Sequence, residues 1–252
     1  MTWLPPAFLA TALLYASVGF GGGSTYNALL SLAQFDYRLL PIVSLACNVL
    51  VVSGSTVRNA RAGVVPWRRA LLLALIAAPL AYLGGLTPIK QATFLVLLGL
   101  SLIAAGLALF LPRAAEAKAV AETQPMPLAR WMPLAVAPLG YLAGLVGIGG
   151  GIFLAPLLHY TRWAEVRAIA ATTSLFILIN SLSGLAGQLS KNGLITFGDA
   201  LGDALPLLIA VVLGGQLGSV LALRWLPERV IRALTAALTI WAGGQLLYRQ
   251  WF

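Results

Sequence analysis

The chain has 252 residues, 60% of them hydrophobic and only 9% charged, with a mean hydropathy of +0.92. A soluble domain carries about a quarter charged residues, so a soluble fold is excluded and an all-α integral membrane protein is expected. The formal net charge of +9 does not point to a nucleic-acid partner, because the basic residues sit in short loops and report topology. Arg113, Lys118 and Arg130 even alternate with Glu116 and Glu122. The single cysteine, Cys47, excludes an intrachain disulfide and a cysteine-based metal cluster. No cofactor is expected.

Punctuation by charge, Pro and Gly leaves eight apolar segments, near Leu4–Gln34, Leu39–Val57, Ala70–Leu86, Ala92–Leu111, Trp131–Tyr160, Ala168–Gln188, Leu201–Leu223 and Val230–Leu247. Most reach the ~20 residues needed to span the hydrocarbon layer. The first lacks the basic flank and small-residue cleavage site of a signal peptide, so it is expected in the mature protein. The first and fifth are longer and broken by glycine. One break reads Gly19-Phe20-Gly21-Gly22-Gly23-Ser24-Thr25-Tyr26-Asn27. The other, 128 positions on, reads Gly147-Ile148-Gly149-Gly150-Gly151-Ile152. Pro112–Arg130 is the linker, dividing the chain into repeats 1–111 and 131–252.

The halves match beyond the glycines. Ser44-Leu45 and Ser53-Gly54 recur as Ser174-Leu175 and Ser183-Gly184. Arg61-Ala62-Gly63 recurs as Lys191-Asn192-Gly193 at the same offset of 130. Leu83-Gly84 recurs as Leu217-Gly218, and Pro88-Ile89-Lys90 as Pro227-Glu228-Arg229. An internal duplication of four elements is expected.

Basic residues then choose a topology. If every segment crosses, one face holds Arg58, Arg61, Arg68, Arg69, Arg113, Lys118, Arg130, Lys191 and Arg249, and the other holds the remaining seven. If the two glycine-broken segments are re-entrant, entering and leaving on one side, twelve lie on one face and only Arg38, Lys90, Lys191 and Arg249 on the other. The second arrangement satisfies the positive-inside rule. It predicts two inverted repeats, each a glycine-broken re-entrant element plus three transmembrane helices, with both termini outside.

Each glycine run opens a new half-helix. A helix N-terminus presents unpaired N–H groups and about half a positive charge, which suits an anion. Gly21, Gly22, Gly23, Gly149, Gly150 and Gly151 are therefore expected to meet near the membrane midplane as a substrate site. The alternative is that they only permit close helix packing. Ser24, Thr25 and Asn27 follow the first run, Ser44 and Asn48 share a face of the second segment, and Thr173, Ser174 and Asn180 lie on the sixth. These uncharged donors suit oxyanion oxygens, although Ser and Thr also serve as interhelical hydrogen-bond partners. No carboxylate lies mid-span, and no hydrolase or nucleotide-binding motif is present. His159 reads as an interfacial residue. An intramembrane enzyme is disfavoured, leaving a transporter, a passive anion channel or a ligand-binding sensor.

The paired glycine runs, the Ser-Leu starts of the following segments and the Arg61-Ala62-Gly63 and Lys191-Asn192-Gly193 turns together resemble the sulfite exporter TauE/SafE family of membrane permeases. The likeness covers nearly the whole chain except Pro112–Arg130. It implies transport of sulfur-containing anions such as sulfite or sulfonates across the bacterial cytoplasmic membrane, with the bilayer and a small anion as partners.

Overall fold

In a computed structural model the described residues are 2–18, 21–109, 131–221 and 228–251. The expected linker and Gly19-Phe20 of the first glycine run lie outside them. All regular structure among the described residues is helical. The first half gives α1 (Leu4–Val18), α2 (Gly23–Leu32), α3 (Leu40–Arg61), α4 (Trp67–Leu86) and α5 (Gln91–Ala108). The second gives α6 (Met132–Val146), α7 (Gly151–Tyr160), α8 (Val166–Asp203), α9 (Leu205–Leu221) and α10 (Glu228–Trp251). Proline opens α3 and α6, where its missing N–H costs nothing.

Helices α3, α4, α5 and α8 are long and apolar enough to cross a membrane. Their outer faces fit that solvent. Leu75 and Leu134 are 62% and 65% exposed, a pattern expected where lipid rather than water covers the surface. The glycine breaks fall where expected, between α1 and α2 and between α6 and α7. One boundary differs: helix continues beyond Gln188 to a kink at Gly193, and a second helical stretch beyond the kink carries Asp199 and Asp203. Gly193 absorbs the change of direction at φ 79°, ψ 166°, angles that glycine alone adopts readily. Its counterpart Gly63 also has positive φ, at 68°.

The core is built from pairs that exchange the halves. Helix α1 packs on α9, and α6 on α4. A Cβ on Gly84 would collide with the Tyr141 carbonyl oxygen, and one on Gly218 with that of Leu13. Leu13 and Tyr141 are separated by the same 128 positions as the glycine runs. Gly140 and Gly144 meet Ala77 and Ala81 in the same order, so α6 runs parallel to α4. Likewise Gly214 and Gly218 meet Leu9 and Leu13, so α9 runs parallel to α1. Helices α5 and α10 run antiparallel: a Cβ on Gly99 would lie 3.1 Å from the Gly243 carbonyl, and one on Gly106 3.0 Å from that of Ala236. Small residues allow this backbone approach, and dispersion and weak polar contacts hold it in lipid.

Gly144→Ala is expected to destabilise the fold by about 1–3 kcal/mol, the usual cost of overpacking, because the new methyl would strike the Ala81 backbone. Thermal melting in detergent checks this against Gly198→Ala, whose methyl meets nothing within 4 Å. Equal melting of the two variants would contradict the close α4–α6 contact.

Candidate functional site

The two glycine runs meet. Gly22 and Gly150 precede α2 and α7 with φ of 82° and 79°, and neither helix has a side-chain cap. Their first turns therefore present backbone N–H groups to whatever lies between them. All of residues 21–27 are buried, and so is the second run.

Asn48 of α3 stands at the crossing. Its side chain is fully buried, and its Nδ2 donates to the Ile148 carbonyl at 3.2 Å. A Cβ on Gly21 or Gly23 would collide with its amide. On Gly149 a Cβ would lie 2.6 Å from Nδ2 and 3.0 Å from Ser181 Oγ. The glycines are thus required here for space, because an amide from α3 occupies the room a side chain would take. Ser44, one turn before Asn48, donates from Oγ to the Gly23 carbonyl at 2.8 Å. Asn27 Nδ2 donates across the halves to the Val146 carbonyl at 2.9 Å. A Cβ on Gly151 would strike Ile177 and approach Thr173 Cγ2 at 3.0 Å.

Gly21, Gly23, Asn48, Ser44, Asn27, Gly149, Gly151 and Thr173 are therefore brought to one crossing. Other expected residues stand apart. Gly22 and Gly150 face aromatic rings, those of Tyr26 and Phe176. Thr25 shares a 2.7 Å hydrogen bond with the Tyr15 hydroxyl of α1. Ser174 Oγ donates to Ala170 of its own helix at 3.0 Å, unlike its counterpart Ser44. Ser24 is buried. Asn180 is fully buried on α8 with neither amide atom hydrogen-bonded.

Unpartnered polar atoms lie at the crossing, namely Asn48 Oδ1, Asn27 Oδ1, the Thr173 hydroxyl and Ser181 Oγ, and elsewhere on α8 the Thr172 hydroxyl and both Asn180 amide atoms are buried without a partner. Each costs about 1–3 kcal/mol when left unmet, a cost that a bound polar ligand offsets. The hydroxyls and Asn180 Nδ2 can donate to an oxyanion; the Asn carbonyl oxygens accept, and suit water or a protonated oxygen. Ser181 was not anticipated. Its signal was the spacing Thr173–Ile177–Ser181, which places three residues on one helical face. The Tyr26 hydroxyl, also buried and unpartnered, carried no sequence signal.

A sequence profile of the family described as Sulfite exporter TauE/SafE matches residues 4–246. The chain is 31% identical over 246 residues to a probable membrane transporter protein of Sinorhizobium fredii, covering 96% of each. It is 25% identical to another of Methanocaldococcus jannaschii, covering 80% of each. With one of Xylella fastidiosa it shares 26% identity over 92% of this chain and 89% of the relative. No solved structure matches.

Proposed function

The chain belongs to the sulfite exporter TauE/SafE family of membrane transporters, and from that premise we propose that it is a permease exporting small sulfur-containing anions, such as sulfite or sulfonates. The observation that carries this reading is the crossing itself. Two uncapped helix N-termini, from different halves, meet around Asn48 with unpartnered hydroxyl and amide groups beside them. Two such termini aimed at one point suit an anion held by backbone N–H groups without a full countercharge. Release stays easy because, among the described residues, no lysine or arginine is fully buried to pin the substrate there.

The same reading includes a bacterial cytoplasmic membrane location and two inverted repeats, residues 1–111 and 131–252, joined by 112–130. Several contacts support re-entrant elements. Met132 at the start of α6 shares an apolar cluster with Leu158 at the end of α7 and Trp163 just beyond it. In the other half Phe8 of α1 stacks on Tyr26 of α2, with ring centres 4.8 Å apart. The antiparallel pairing of the counterparts α5 and α10 supports inversion. Charge placement agrees. Arg38 and Lys191 line one cavity, and the Arg69 guanidinium lies 6.0 Å from the Trp163 ring centre, beside Arg162. An arrangement in which every segment crosses would separate both pairs.

Orientation is tested by labelling. Native Cys47 is buried and stays silent. Asp36→Cys should react with an impermeant thiol reagent applied to intact cells, and Arg68→Cys only after lysis. The reverse pattern overturns the orientation, and labelling of both from outside overturns the topology.

A further inference from the structure

Next to the crossing lies a second feature, a cavity of about 230 Å³ whose wall includes Arg38, Pro41, Ile89, Phe94, Leu145 and Lys191. Its two cations come from different halves, Arg38 just before α3 and Lys191 near the Gly193 turn. No residue lining it is acidic. The one carboxylate nearby in sequence, Asp36, accepts the Arg38 backbone N–H at 3.0 Å. Arg38 has a side-chain partner, and the chain next to Lys191 is tied to α6. Arg38 Nε donates to the Tyr37 hydroxyl at 3.3 Å, and the Tyr37 ring rests against Phe94 with centres 5.9 Å apart. Beside Lys191, Asn192 Nδ2 donates to the Gln188 carbonyl at 2.9 Å, and Gln188 Nε2 to the Gly144 carbonyl of α6 at 3.3 Å. Pro41, Pro88, Ile89, Phe94 and Leu145 make the rest of the lining largely apolar. The cavity adjoins the second glycine run, since a Cβ on Gly147 would lie 2.5 Å from Pro41 Cα.

Two cations sharing a cavity with apolar side chains suit a ligand that has both a charged head and an apolar body. The volume is below that of most drug-sized sites, about 300–1,000 Å³, so the ligand is small. We propose that this cavity is an outer-face binding site, on the exit side of the crossing, for small organic anions with a short alkyl portion, the alkanesulfonate class, its head on Arg38 and Lys191 and its body on Ile89, Phe94 and Leu145. The assignment rests on the permease reading and adds a selectivity step to it. An inorganic oxyanion engages only the cations, whereas each methylene buried against the wall tightens binding about fourfold.

Calorimetric titration of the purified full-length protein with methanesulfonate and 1-propanesulfonate tests this. Wild type should bind propanesulfonate more tightly. The double variant Arg38→Gln with Lys191→Gln should weaken it at least about tenfold, as loss of charged hydrogen bonds does. Arg38→Lys with Lys191→Arg should stay within about threefold, which excludes misfolding as the cause. Gly150→Leu, which lies outside the cavity lining, should keep the preference for propanesulfonate over methanesulfonate. Wild-type binding without a propyl preference, no binding at all, or unchanged binding by the neutral double variant each overturns the outer-face site. Unchanged binding by the neutral variant together with lost binding in Gly150→Leu would leave the crossing as the anion site and remove only the outer-face step.

Discussion

Asn48→Asp is expected to cut anion flux by at least about a hundredfold at pH 8 while the protein stays folded. The substitution keeps the side-chain shape, so the packing against Gly21, Gly23 and Gly149 survives. It replaces an amide donor to the Ile148 carbonyl with a carboxylate aimed at the place where the substrate's charge would sit. Two like charges about 4 Å apart repel by about 4 kcal/mol at an effective dielectric constant near 20. Burial raises the pKa of the new carboxyl and relieves part of that repulsion. The sign of the pH dependence follows. As pH falls, the carboxyl takes up a proton, regains a donor for Ile148 and loses its charge, so flux should recover. Propanesulfonate or sulfate, which stay ionised across the range, are the substrates to use in proteoliposomes. Full flux at pH 8 would place the anion elsewhere.

The second large effect is expected from Gly22→Leu and Gly150→Leu. Each should abolish flux above protein-free liposomes while the protein remains monodisperse. Both positions have φ near 80°, where an L-residue costs about 1–2 kcal/mol. A Cβ there would also lie 3.1 Å from the Tyr26 ring or 3.0 Å from the Phe176 ring. The rest of a leucine side chain must then move the ring or enter the crossing. Gly198→Ala, open on all sides within 4 Å, is the control and should transport normally. If both leucine variants also transport normally, the glycine runs serve packing alone.

Much of the fold was readable because the sequence marks places where backbones touch or turn. Leu83-Gly84 and Leu217-Gly218 were recognisable as counterparts since each glycine faces a carbonyl oxygen of the broken helix opposite. Gly63 and Gly193 could be matched because both turns need positive φ. The helix breaks at the glycine runs followed from the same chemistry. Side-chain partners were much less readable. The matching Ser-Leu pairs gave no hint that Ser44 would reach the Gly23 carbonyl. Asn48 has a leucine, Leu178, at its counterpart position, so the duplication offered no hint that it would bridge the halves. Ser181 depended on which face of α8 turns toward Gly149. The cavity between Arg38 and Lys191 joins loops remote in sequence, and no local pattern records that meeting.

Radiolabelled flux through the purified protein in liposomes, with sulfite, thiosulfate, sulfate and taurine offered separately, tests the permease reading most directly. Saturable uptake of at least one of them, above protein-free liposomes and faster with unlabelled anion on the opposite side, is the expected result. No uptake of any of the four would contradict it and favour a ligand-binding sensor. Uptake that never saturates and shows no exchange would contradict it too, in favour of an open anion channel.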